Sequence, residues 1–218
     1  MSTTNFPKRR LIYLFGMPGS GKTHIGSYLS SKYKNANYQF QFYDADQWLP
    51  EKMIQTLKEG NSFTSVMRDG YYNLVNQNIE QLLDGNTLGS KCLVIAQATY
   101  KNIHRERLLL KFPFVELWMV VANDDIRVQR VMGRNETQQE QDAKSSEKKK
   151  EEITQKNLDE DQEEDVVVLP EGSKAADVEW VLKHSSGFEL PTHRHVVLVN
   201  DSNDSEMLKK SIDEVFKQ

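Results

Sequence analysis

The run Gly16-Met17-Pro18-Gly19-Ser20-Gly21-Lys22-Thr23 constrains this chain more than any other stretch, because it has the spacing G-x-x-x-x-G-K-[ST] and few folds admit that loop. Leu11 to Phe15, just before it, form an apolar run with the length of a buried strand. From Thr23 onward, Ile25, Tyr28 and Leu29 recur on one face of a predicted helix. Strand, glycine turn and helix in that order form the setting in which such a loop wraps an anion. Gly16, Gly19 and Gly21 let the backbone turn successive N–H groups inward, and the helix aims its positive end at the same point. Lys22 is then placed for the β- and γ-phosphates of ATP, and the Thr23 hydroxyl for Mg2+. The candidate nucleotide contacts are Gly16, Pro18, Gly19, Ser20, Gly21, Lys22, Thr23 and the adjoining His24.

Four more apolar runs read as buried strands: Phe40–Tyr43, Leu93–Ala96, Val115–Ala122 and Val196–Val199. Helical patterns lie between them. Tyr72, Val75, Ile79, Leu82 and Leu83 form one, ended by Asp84-Gly85-Asn86. Ile126, Val128, Val131 and Met132 form another, capped by Asn123 or Asp124. Strands alternating with helices predict an α/β fold: a parallel sheet covered on both faces, with phosphate bound at the carboxyl ends of the strands.

A chain of 218 residues suits one domain spanning 1–218. Its net charge of −4 gives no electrostatic case for nucleic acid. The single cysteine, Cys92, rules out an internal disulfide framework and fits a reducing, cytoplasmic setting; beside Leu93-Val94-Ile95 it reads as a buried, inert thiol. Lys8-Arg9-Arg10 precede an apolar run too short for a signal peptide, and no stretch is long enough to span a membrane. Residues 136–165 stand apart, with twelve acidic residues against five lysines, a net of −7, and only Ile153 and Leu158 as large aliphatics. Such a segment cannot bury enough apolar surface to fold alone, so it is expected to be a disordered or solvated insertion within the domain. It is either a passive insertion or a docking site for a protein partner.

The second run ends Phe42-Tyr43-Asp44-Ala45-Asp46. Carboxylates at i and i+2 on a strand point to the same side. Directed at the phosphate loop, Asp44 and Asp46 could hold magnesium through water and take the proton of an attacking hydroxyl; the plain alternative is a pair of turn-forming aspartates. The third run ends Ile95-Ala96-Gln97-Ala98-Thr99, without the aspartate that motor ATPases and GTPases place there. The pattern therefore favours transfer to an acceptor over a motor or switch.

With these residues in place, the chain resembles the small gluconate kinases, which are related to shikimate kinases and more distantly to nucleoside monophosphate kinases. The resemblance rests on the phosphate loop, on Phe42–Asp46 followed by Pro50-Glu51-Lys52-Met53, and on Gly60-Asn61-Ser62-Phe63 leading to Arg68-Asp69. It continues through Ala96–Lys101, Ile126–Arg134 and Phe188-Glu189-Leu190-Pro191. It implies five parallel strands in the order 2-3-1-4-5, a mobile lid after Arg134, and ATP with Mg2+ as cofactors. It also implies roles: Asp46 at the substrate hydroxyl, Asp44 in the magnesium shell, Arg68 and Lys101 at the substrate, Arg130 near the adenine, and Arg134 at the transferring phosphoryl group, with Lys22, Asp46 and Arg134 catalytic. Arg105 is a further basic candidate on the acceptor side.

The departures fall on that same side. Leu49 replaces a histidine, Ser65-Val66-Met67 replace acidic residues, and Tyr100 replaces the first of two lysines. Trp48, Tyr71 and Tyr100 would make the acceptor pocket more aromatic, or else belong to the core. The sequence thus predicts an ATP-dependent phosphotransferase acting on a hydroxyl of a small metabolite. Its alternatives are a nucleoside or nucleotide kinase, and a nucleotide-binding interaction protein with weak ATPase activity.

Overall fold

Burial with a period of two along the first strand sets the architecture. In β1 (Arg9–Phe15), Leu11, Tyr13 and Phe15 join one hydrophobic cluster while Ile12 and Leu14 join a second on the opposite face. A strand buried on both sides needs helices above and below it, and the chain supplies them. The computed structural model describes residues 9–33, 38–59, 61–84, 90–133, 187–201 and 205–216. Arg134, the 136–165 insertion, Gly60 and the Gly85-Asn86 helix stop lie outside the described residues.

The described elements run β1, α1 (Lys22–Lys32), β2 (Tyr38–Asp44), a 3-10 turn (Ala45–Trp48), α2 (Glu51–Lys58), α3 (Ser65–Asp84), β3 (Ser90–Gln97), α4 (Asn102–Lys111), β4 (Val115–Val121), α5 (124–133), β5 (Val196–Val199) and α6 (Ser205–Phe216). The five strands are parallel, in the order β2-β3-β1-β4-β5. Helices α2, α3 and α4 cover one face through Met53, Tyr71, Val75, Ile79, Leu83 and Leu108. Helices α1 and α6 cover the other through Ile25, Leu29, Leu208, Ile212 and Phe216. The last strand and helix, which follow residues 134–186, complete this same sheet and this same face. No described helix is long and apolar enough to cross a membrane.

Two helices differ from their sequence reading. Helix α3 starts at Ser65, where the Thr64 hydroxyl accepts from Met67 N at 3.2 Å, and it buries Tyr71, Val75, Ile79 and Leu83. The apolar pattern starting at Tyr72 missed its first turns because Val66 there is exposed. In α5, Asn123 is the cap, accepting from Ile126 N at 3.0 Å. Arg127 is the fully buried side chain of that helix and Met132 is exposed, so α5 docks through a cation rather than the expected apolar stripe.

Cys92 is buried as expected, and its burial pushes the thiol up to about 12. Helix α1 lies close on β2 at Gly26, where a Cβ would stand 2.2 Å from the Phe42 ring. Gly26→Ala is therefore expected to lower stability by about 1–3 kcal/mol in denaturant titration, with Phe42→Leu recovering part of the loss. An unchanged midpoint for Gly26→Ala would show that α1 does not rest on β2 through this contact.

Candidate active site

Strand register brings the ends of β1, β2 and β3 to one edge. Phe15 lies opposite Gln97, and Asp44 opposite Ala96, so the loop after β1, the carboxylates after β2 and the Gln97 amide meet at the carboxyl end of the sheet. Gly19 and Gly21 have φ of 78° and 99°, a region L side chains rarely enter, and a Cβ on either would strike Arg127 O or Asn200 Nδ2. Glycine is thus required there by conformation and by space. Lys22 opens α1, and its ammonium donates to Gly16 O and Met17 O at 3.0 Å each, across the mouth of the loop. Ser20 Oγ is buried with no hydrogen-bond partner, an unpaired polar atom inside the loop. His24 is exposed in the first turn of α1, and Pro18 lends its carbonyl to Arg127.

The Thr23 hydroxyl donates to Asp44 Oδ2 at 2.8 Å. Asp44 Oδ1 accepts from Asp46 N at 3.2 Å, which caps the 3-10 turn, so Asp44 is held both by the loop's Thr23 and by the turn that carries Asp46. Asp46 is open to solvent on one side. Even so, the protein packed around its carboxyl, with the Asp44 charge second, raises its pKa above the ordinary value, while Lys22 and the neighbouring Gln97 amide pull the other way. Gln97 is buried and its amide nitrogen donates to the Tyr71 hydroxyl, which donates in turn to Ala45 O at 2.6 Å. Tyr71 is therefore core as well as neighbour to the site.

The loop is braced from behind. Arg127 donates to Pro18 O at 3.0 Å and to Asp124 at 2.6 Å. Arg130 reaches Asn200 O and Asn200 Oδ1 at 3.2 Å each, and Asn200 Nδ2 donates to Ser20 O at 2.8 Å. Arg127 and Asn200 drew no attention in the sequence, since an arginine on a charged helix and an asparagine after a strand carry no pattern of their own.

On the other side of the cleft, Lys101 pairs with Glu189 at 3.2 Å, and Glu189 also caps α4 by accepting from Asn102 N at 2.7 Å. Arg105 is fully buried, donating to Thr99 O, Asn102 Oδ1 and Glu189 O between the rings of Phe15 and Phe188. Arg68 sends one arm to Phe63 O at 2.7 Å. The structure thus brings the loop, Asp44 and Asp46 to one edge of the sheet, ties Lys101 and Arg105 to the segment around Glu189, and adds Gln97 at the end of β3.

A family model described as an AAA domain matches residues 12–155. Among solved structures the chain is similar to a gluconokinase from Sinorhizobium meliloti 1021, with a TM-score of 0.62 and 13% identity over 95% of this chain and 92% of that one. A sugar kinase from Janibacter sp. HTCC2649 gives 0.60 and 13% over 95% of each. Kti12 of Chaetomium thermophilum, in complex with ADP-AlF3, gives 0.55 and 12% over 94% of this chain and 97% of that one. At such identities the likeness is one of fold. No curated protein matches the chain.

Proposed function

The chain belongs to the AAA domain family and carries a P-loop kinase fold, and from that premise we propose that it is an ATP-dependent phosphotransferase acting on a hydroxyl of a small metabolite. The observation that carries this reading is the convergence of two carboxylates and a glycine loop at one sheet edge, with Asp44 bonded to Thr23 and Asp46 exposed on the adjoining turn.

In this reading the loop amides and Lys22 hold the triphosphate, with Gly16, Pro18, Gly19, Ser20 and Gly21 lining it and His24 beside it. Arg130 braces the loop, and Arg134 is assigned to the transferring group on the strength of the sequence resemblance. Asp46 orients the acceptor and takes its proton. The acceptor oxygen bonds to the γ-phosphorus as the bond to the β–γ bridging oxygen breaks, and ADP departs. Arg68 and Lys101 flank the acceptor side, Lys101 through its partner Glu189. The Thr23 hydroxyl and the Asp44 carboxylate are adjacent hard oxygen donors, and they fit Mg2+. When bound, that ion would offset charge on the β- and γ-oxygens. Residues 1–218 are taken as one domain because strands from both sides of 134–186 share one sheet.

The test is ADP formation by the full chain with Mg2+ and ATP over a panel of hydroxylated metabolites. Turnover stimulated by an acceptor supports the reading; tight ATP binding with no stimulation by any acceptor contradicts it. A second expectation concerns Gln97. Gln97→Leu removes the polar amide beside Asp46 that helps hold its pKa down, so the acid limb of the pH–rate profile should move to higher pH and turnover should fall roughly tenfold or more. An unmoved acid limb would show that Gln97 does not tune Asp46.

A further inference from the structure

Three successive carbonyl oxygens of the glycine loop are held by side chains from α5 and from the end of β5. Pro18 O accepts from Arg127 Nε at 3.0 Å, Gly19 O from Arg130 Nη1 at 3.4 Å, and Ser20 O from Asn200 Nδ2 at 2.8 Å. The three holders are themselves fastened. Arg127 also donates to Asp124 at 2.6 Å, Arg130 is bonded to Asn200 O and Oδ1 at 3.2 Å each, and Asn200 N donates to Val121 O at 2.8 Å. Asp201, the next residue, accepts from N of the α5 cap Asn123 at 2.6 Å, which locks α5 to the end of β5.

Two of these residues also meet the loop by close contact. A Cβ on Gly19 would stand 2.5 Å from Arg127 O, and one on Gly21 would stand 2.2 Å from Asn200 Nδ2. Arg127 is fully buried and Asn200 is buried, so their effect on a nucleotide in the loop passes through the loop backbone. Burying a guanidinium is costly unless its donors are satisfied. Here they go to Pro18 O, Met17 Sδ and Asp124. Packing alone would be served as well by an apolar side chain of similar volume.

In a planar trans peptide the N–H points opposite to the carbonyl. Holding Pro18 O and Ser20 O from behind therefore turns the N–H groups of Gly19 and Gly21 to the other side, while Ser20 N closes the turn on Met17 O at 3.3 Å. We propose that Arg127 and Asn200 are positioning residues for nucleotide binding: by fixing Pro18 O and Ser20 O they preorganise the Gly19 and Gly21 amides as donors to the phosphates, without touching the nucleotide themselves. This rests on the kinase reading and deepens it, adding two residues behind the loop to those within it. Donors already aimed need no reordering when the anion arrives, so the brace acts on affinity. ATP and ADP should feel it alike, because loop amides cradle the α- and β-phosphates that both carry.

The experiment is calorimetric titration of the full chain with ATP and with ADP in Mg2+, well below the melting transition of every protein used. Arg127→Met keeps the stem and removes the donors. Arg127→Lys keeps the cation beside Asp124 without the fork that reaches Pro18 O. Asn200→Ala removes the donor to Ser20 O. Each variant is expected to raise Kd for both nucleotides roughly tenfold, a ratio worth about 1.4 kcal/mol. With an acceptor that stimulates turnover, KM for ATP should rise in parallel, while kcat and KM for the acceptor stay within about threefold. If Arg127→Met does not fold, the lysine and alanine variants carry the test. A role in packing alone would lower Tm and leave Kd unmoved, so Kd values within about twofold of the parent in the folded variants overturn the inference and leave the kinase reading standing. Binding of neither nucleotide by the parent overturns both.

Discussion

Lys22→Met is expected to cut acceptor-dependent phosphoryl transfer by roughly 10²–10³-fold, the loss typical of removing one preorganised donor from a developing negative charge. The ammonium already lies across the loop mouth on Gly16 O and Met17 O, so it is held where a triphosphate would meet it. Its removal strips charge from the site and ties from the loop, but it buries no unpaired charge. Thermal stability should therefore change by only a few degrees. Lys22 also lowers the Asp46 pKa, so residual activity in the variant should show its acid limb at higher pH. Steady-state ADP production and a melting curve on the same preparation check both halves. Activity within tenfold of the parent would remove Lys22 from the mechanism.

Asp46→Asn is expected to lower kcat by roughly 10²–10⁴-fold, the usual contribution of a positioned general base. It should also stabilise the fold at neutral pH. The folded-state pKa of Asp46 lies above its unfolded value of 3.8, so folding favours the protonated carboxyl. The resulting penalty is absent below the unfolded value and develops as pH rises through the raised folded value. Asparagine removes it, while the backbone N–H that caps Asp44 Oδ1 is kept. Tm of the variant should exceed that of the parent at pH 7, and the gap should close on acidification below the ordinary carboxylate pKa. A lower Tm at pH 7 would show that the carboxylate helps hold the turn together. Loss of activity with gain of stability is the trade expected where a charge is kept for chemistry.

Much of the fold was legible in the sequence because its strands are short apolar runs and its loop has fixed spacing. Each of the five runs became a strand, and β2 and β3 gained residues at both ends, where polar side chains such as Gln97 continue the ladder without an apolar signature. Asp44 and Asp46 stood out in the sequence on a period of two, but β2 ends at Asp44 and Asp46 sits in the 3-10 turn, where its N–H bonds Asp44 Oδ1, so their placement follows from the turn and not from the pleat. Helix α5 and its Asn123 cap were legible, but the burial of Arg127 was not, because beside the local Asp124 its partners Pro18 O and Met17 Sδ lie more than a hundred residues away. Gln97 was seen only as an aspartate that was not there. Its position beside Asp46 and Tyr71 depends on β2–β3 register and on α3 packing, both set by long-range contacts. Lys101 and Arg105 read as acceptor-side candidates with no sign of their partner, because Glu189 follows more than eighty residues later, on a segment that folds back to α4.

Transfer of the terminal phosphate of γ-labelled ATP tests the central claim most directly. With an acceptor that stimulates turnover, the label should appear in an organic phosphate, in equal amount with ADP, and this product should be lost in Lys22→Met and Asp46→Asn. Label found only as inorganic phosphate, at a rate indifferent to every acceptor, would contradict the assignment of this cleft to phosphoryl transfer and leave a nucleotide-hydrolysing site in its place.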